Sequence, residues 1–227
     1  MLEPEAPAGV TAGSIISHTF AMISNNAMFV AIFVLAFSVL GSTADALTAS
    51  PETSLLWSGG MLQLLIGIAS VVVLYLLLSA MLRSASLQEP DLPRRYLAFL
   101  GQGIVMALAV VFGLLMLVVP GLILSARWSI AQPLLVGRGQ KVFEALSDSW
   151  EATRGHTTAI IVAGIVLFGA LLVPGIGIVM LLDADDMLTV IAIQLIGNAC
   201  SVLSTALMAA LMQLIRPPMR VVTDVFA

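Results

Sequence analysis

The sequence predicts an all-α integral membrane protein with six transmembrane helices and two amphipathic helices at the cytoplasmic interface. Three observations predict it. Of the 227 residues 60% are hydrophobic and only 10% charged, the mean hydropathy is +1.10, and the apolar residues fall in runs close to the roughly 20 residues that a helix needs to cross a bilayer. Six crossings take about 120 residues, which leaves too little chain for a sizeable aqueous catalytic domain. The whole chain, 1–227, is therefore read as one membrane domain.

The opening MLEPEAPAGV is acidic and lacks the basic start of a secretory signal peptide, so the first hydrophobic segment is expected to remain in the mature protein. Over 10–24, Ala12, Ile15, Ile16, Thr19, Phe20 and Ile23 recur at helical spacing opposite Thr11, Ser14, Ser17, His18 and Ser24. This predicts a first surface-lying helix. Asn25 and Asn26, good capping residues, introduce a span over about 26–47. A turn-rich segment containing Pro51 separates it from a second span, about 55–82, ended by Arg83. The polar, twice Pro-interrupted SASLQEPDLPRR that follows reads as an aqueous loop.

From Tyr96 to Val136 the chain is apolar for twice the length of one crossing and must turn back. Pro120-Gly121 is the obvious breaker, since proline removes a backbone donor and glycine permits a tight reversal. Spans over about 96–119 and 121–136 result. In the charged segment 139–154, Val142, Phe143, Leu146, Trp150 and Thr153 share one helical face, with Lys141, Glu144, Asp148 and Glu151 turned away. This predicts a second interfacial helix, with its tryptophan at the wet–dry boundary. Two spans remain, about 157–182 with a second break expected at Pro174-Gly175, and 187–215, stopped by Arg216 and Pro217.

Under this arrangement Arg83, Arg94, Arg95, Arg138, Lys141, Arg154, Arg216 and Arg220, eight of the nine basic residues, fall on one side. The other side carries Asp45, Glu52, Asp183, Asp185 and Asp186. The positive-inside rule then places both termini in the cytoplasm, and the expected location is the bacterial inner membrane. A net charge of −4 argues against nucleic acid as a partner, and the single Cys200 excludes an intrachain disulfide and a cysteine-based metal cluster.

The run PGLILSARWSIAQPLLV, from Pro120, and ALSDSWEATRG, ending at Gly155, resemble the bacterial six-span family known as the membrane domain of glycerophosphodiester phosphodiesterases. The matching residues are Pro120 and Gly121, Ala126 and Arg127, Ala145 and Leu146, Ser149 and Trp150, and Thr153, Arg154 and Gly155. His156, Thr157 and Thr158 stand where that pattern has aromatic residues. The resemblance implies a membrane domain whose role is largely unassigned. The phosphodiesterase domain fused to some members has no counterpart in these residues, so its activity is not implied here.

Arg127 is the most informative single residue. An arginine within a span costs about 2.5–3.5 kcal/mol on insertion scales, so something must compensate it. Two readings stand: an ion pair with Asp183, Asp185 or Asp186 that fixes the bundle, or an anion or phospholipid headgroup site. Gln194, Asn198, Ser201 and Thr205 form a polar stripe on the last span, which reads as close helix packing with interhelical hydrogen bonds or as a hydrated passage. The acidic turn at Asp183 to Asp186 reads as solvated rather than as a metal site. No nucleophile, base and oxyanion set is present, and no cofactor motif, so neither catalysis, a metal nor a cofactor is expected.

The leading functional expectation is a non-enzymatic scaffold, assembly factor or accessory subunit that packs with membrane lipids and other membrane proteins. The alternative is a phospholipid-binding or small-solute or lipid transporter that uses Arg127 and the span-six stripe.

Overall fold

The structure, a computed structural model, describes residues 10–48, 56–89, 95–116, 118–183 and 186–216. Within them the chain forms α1 (Ala12–Asn25), α2 (Ala27–Thr48), α3 (Leu56–Ser84), α4 (Tyr96–Met116), α5 (Val118–Arg127), α6 (Ala131–Arg138), α7 (Val142–Ala152), α8 (Thr157–Met180) and α9 (Met187–Ile215), with no strand among the described residues. Six segments are long and apolar enough to cross a membrane: α2, α3, α4, the α5–α6 pair over 119–138, α8 and α9. The all-α, six-span architecture is therefore as expected. Arg94, Arg220, Glu52 and Asp185 lie outside the described residues.

Two breaks differ from expectation. The reversal between spans three and four precedes Pro120-Gly121, which sit inside the first turn of α5. Proline is tolerated there because the first amides of a helix have no intrahelical acceptor in any case. Gly121 serves the hairpin differently, through a close approach of backbones: a Cβ placed on Gly113 of α4 would stand 2.9 Å from Gly121 Cα. At Pro174-Gly175 there is no break, and α8 runs through Pro174 to Met180. Spanning helices accept an interior proline when neighbours pack around it, and Gly175 lies against the Ile196 side chain of α9.

The real interruption falls within span four, where α5 ends at Arg127 and α6 resumes at Ala131. Trp128, Ser129 and Ile130 form the turn between them.

The core gathers around the basic end of α9. Ala206, Ala209, Ala210, Leu211 and Met212 are wholly buried there, and α9 touches α1, α2, α3, α6 and α8. The three alanines let neighbouring backbones come close, the packing available when lipid removes the hydrophobic drive between helices. Helix ends carrying Arg83, Arg95, Arg138 and Arg216 meet on this side. The Glu89 N–H donates to Gly137 O (2.9 Å), Gly137 lies against Leu82 and Met212, and Arg95 donates from Nη1 to the carbonyls of Gly139 and Gln140. Gly139, at φ 65°, takes the left-handed conformation that glycine adopts without penalty and turns the chain from α6 into α7.

Both short helices dock on the bundle, α1 through most of its expected apolar face, with Ala12, Ile16 and Ile23 packed beside Ile15 and Thr19, and α7 through a face shifted toward its small residues. α1 opens with reciprocal bonds between Thr11 and Ser14 and buries Ile15, Thr19 and Met22 against α8 and α9. Phe20 is turned outward, 57% exposed. α7 buries Ala145, Leu146 and Ser149, and Thr153 just beyond it, while Phe143 is 78% and Trp150 43% exposed. Small and hydroxylated residues make the seam because α7 must approach the interrupted backbone of span four. The aromatic rings are thereby left at its rim.

Toward the other end of the bundle, Asp45 of α2 accepts from Gln194 Nε2 of α9 (2.8 Å) and from Gln63 Nε2 of α3. The Gln194 amide crosses Gly41, where a Cβ would stand 2.7 Å from it. We expect Gln194→Leu to lower stability by about 1–2 kcal/mol, since it withdraws a donor from the Asp45 side chain at a three-helix junction. Denaturant titration in detergent micelles checks this, and an unchanged midpoint would show that the junction contributes nothing.

Candidate functional site

The residues that carry the family resemblance meet at one corner, where α7 closes over the break between α5 and α6. A helix that stops at Arg127 leaves that residue's carbonyl without its helical donor, since the Ala131 N–H bonds to Trp128 O (3.1 Å). It also leaves the Ile130 N–H without a backbone acceptor, while Trp128 and Ser129 still bond back to Leu124 O and Ala126 O. Two hydroxyls of α7 and its C-terminus repair this. The Arg127 carbonyl accepts from Ser149 Oγ (2.8 Å) and shares the Thr153 hydroxyl proton (Oγ1 at 3.1 Å) with the Ser149 carbonyl one turn back in α7 (2.8 Å). Ser149 Oγ in turn accepts from the Ile130 N–H (3.3 Å). Ser149 and Thr153 are wholly buried, as is Ile130. Ala145, also wholly buried, and Leu146 complete the seam one turn earlier. Ala126 packs into the core beside Arg127.

The Arg127 side chain leaves the seam in the other direction. Its Nη1 donates to the Trp150 carbonyl (3.2 Å), and its guanidinium carbon stands 5.2 Å from the centre of the Trp150 ring, within cation–π range. Nε is buried without a hydrogen-bond partner. Among the described residues Arg127 forms no ion pair. The expected pairing with Asp183 or Asp186 is thus corrected, because those carboxylates lie beyond the far end of α8, whereas Arg127 sits near its start. Asp186 instead caps α9, accepting from the Leu188 N–H (3.2 Å), and the Asp183 carbonyl accepts from the Thr189 hydroxyl (2.6 Å).

Arg154, exposed, and Gly155, at φ 93°, follow Thr153 in the turn into α8. Pro120 and Gly121 stand apart from this corner, at the other end of α5.

The span-six stripe divides between two environments. Gln194 and Asn198 face α2: Gln194 reaches Asp45, and Asn198 Nδ2 donates to Ser38 Oγ (3.1 Å). Ser201 and Thr205 donate back to carbonyls of their own helix, those of Gly197 and Ser201. They border a cleft of 610 Å³ between α3, α4 and α9, together with Gly103 and Gln132. Sequence reasoning missed three polar or close-packed features: the Gln63 contact to Asp45, the Gly113–Gly121 approach, and Gln102. Gln102 is wholly buried on α4, with neither amide atom hydrogen-bonded. Hydropathy gave no sign of any of them, since each depends on what a neighbouring helix presents.

Six apolar crossings and a motif given over to joining helices define a multi-pass helical membrane protein. A family model described as the membrane domain of glycerophosphoryl diester phosphodiesterase matches residues 77–223. The chain belongs to that family. The match takes in α4 to α9 and hence the whole Arg127 corner. No curated protein and no solved structure matches the chain significantly.

Proposed function

We propose that this protein acts in the bacterial inner membrane without catalysing a reaction, as a scaffold, assembly factor or accessory subunit that packs with lipids and other membrane proteins. One observation carries the reading. Several of the polar side chains that a passage or a catalytic centre would draw on join helices: Asp45 with Gln63 and Gln194, Asn198 with Ser38, and Ser149 and Thr153 with Arg127, whereas Ser201 and Thr205 bond within α9. The family match is to a membrane domain and not to a phosphodiesterase domain, which fits a non-catalytic role. The basic residues gathered at one end support cytoplasmic termini.

Extraction in native lipid discs, followed by mass spectrometry of what co-purifies, tests the proposal. A membrane protein retained at fixed stoichiometry is the expected result. Recovery of the chain alone, together with solute uptake into proteoliposomes, would replace this reading by the transporter. Of the two observations that favour that alternative, the stripe is hydrogen-bonded within the bundle. Arg127 keeps an outward role, and it leads to lipid binding rather than passage.

A further inference from the structure

We propose that the Arg127–Trp150 corner and the cleft beside it seat one anionic phospholipid, with the phosphodiester on the Arg127 guanidinium and an acyl chain in the cleft. The proposal deepens the lipid-binding reading of Arg127 and does not depend on a protein partner. Charge comes first. Arg127 has no ion pair among the described residues, and of its nitrogens only Nη1 makes a hydrogen bond, to the Trp150 carbonyl. The Trp150 ring, 5.2 Å from the guanidinium carbon, and the Nη1 bond hold the group in place, which leaves Nη2 and the second Nη1 hydrogen for the charge-assisted bonds that a phosphate accepts. The half-exposed tryptophan and the exposed Arg154 place this corner at the basic end of the bundle, where an aromatic ring suits the headgroup layer.

The second part of the site is apolar. Between α4, α5 and α8, over a floor from α9, lies a cleft of 480 Å³ bordered by Ala126 and Ser129, which flank Arg127, and by Leu122, Ile161, Ile165 and Met208. It falls in the size range of small-ligand pockets, roughly 300–1,000 Å³. Arg127 follows Ala126 directly in the chain at the edge of this cleft, and a cation beside an apolar cleft matches the two halves of a phospholipid. Arg127 without an ion pair among the described residues, together with Arg154, the residue after Thr153 whose hydroxyl reaches the Arg127 carbonyl, favours a headgroup of net negative charge over a zwitterionic one.

Gly164 permits a test that spares the fold. It borders the cleft, and a Cβ placed on it meets nothing within 4 Å, so the side chain of Gly164→Leu starts in open space and extends into the acyl space. The purified full chain, delipidated in detergent, is titrated with phosphatidylglycerol and with phosphatidylethanolamine and followed by native mass spectrometry. Phosphatidylglycerol should bind more tightly, and both Arg127→Gln and Gly164→Leu should weaken it by about tenfold, the factor that a lost charge-assisted bond represents. Gly164→Leu should unfold no lower than the wild type in lipid-free detergent. Equal binding of the two lipids, or undiminished phosphatidylglycerol binding in Gly164→Leu, would overturn the proposal. Neither result bears on whether a protein partner exists.

Discussion

Replacing Gly113 by leucine is expected to destabilise the protein by about 3 kcal/mol, within the range for forcing extra atoms into a packed interface. A Cβ on Gly113 would lie 2.9 Å from Gly121 Cα and 3.1 Å from Gly121 N. Both obstacles are backbone, so no side-chain rotation relieves the contact, and α4 and α5 must move apart. Alanine at the same position should already show part of the loss. Gly164→Ala is the contrasting case, since its Cβ meets nothing within 4 Å. There the only expected change is a gain of up to about 1 kcal/mol in helix propensity. Unfolding midpoints in one detergent compare all three variants, and a wild-type midpoint for Gly113→Leu would show that the hairpin does not close on this pair.

Ser149→Ala should cost about 2–3 kcal/mol, more than its small volume suggests. The hydroxyl has two roles, donating to the Arg127 carbonyl and accepting from the Ile130 N–H. Alanine leaves that amide buried without a partner, and an orphaned buried group costs about 1–3 kcal/mol. Thr153→Val should cost less, about 1 kcal/mol, because Ser149 still satisfies the Arg127 carbonyl. Weaker docking of α7 should also release the Trp150 carbonyl from Arg127. Tryptophan fluorescence therefore reports the same event as the unfolding midpoint, although Trp57 and Trp128 contribute to the signal.

The crossings were legible because a bilayer imposes length and composition on each helix, and apolar runs of about 20 residues display both. Breaks were less legible, since proline has different consequences by position. Pro120 is tolerated in a first turn, Pro174 is carried within a packed helix, and the actual interruption at 128–130 contains neither proline nor glycine. It becomes stable through bonds from α7, a helix some twenty residues further along the chain.

The motif itself was visible in sequence, but its physical role was not. Hydrophobic periodicity grouped Val142, Phe143, Leu146, Trp150 and Thr153 on one face of an interfacial helix, but it did not show that the face docked on the bundle is the smaller and more polar one of Ala145, Leu146, Ser149 and Thr153. A seam of hydroxyls satisfying backbone groups has no apolar signature. For Arg127 a carboxylate or a lipid phosphate was expected, and among the described residues its contacts are the carbonyl and ring of Trp150. Along α9 the polar stripe does share one face, but that face meets α2 at Gln194 and a cleft beside α3 and α4 at Thr205. The change of neighbour with depth cannot be read from a single helix.

The central claim is that the motif holds α7 to the interrupted fourth span through one shared acceptor, the Arg127 carbonyl. A double-mutant cycle of Ser149→Ala and Thr153→Val, read as unfolding free energy in detergent, tests this most directly. While either hydroxyl remains, the carbonyl keeps a donor, and only the double variant strands it. The account predicts a combined loss that exceeds the sum of the single losses by about 1 kcal/mol. Losses that simply add, or a double variant as stable as the wild type, would contradict it.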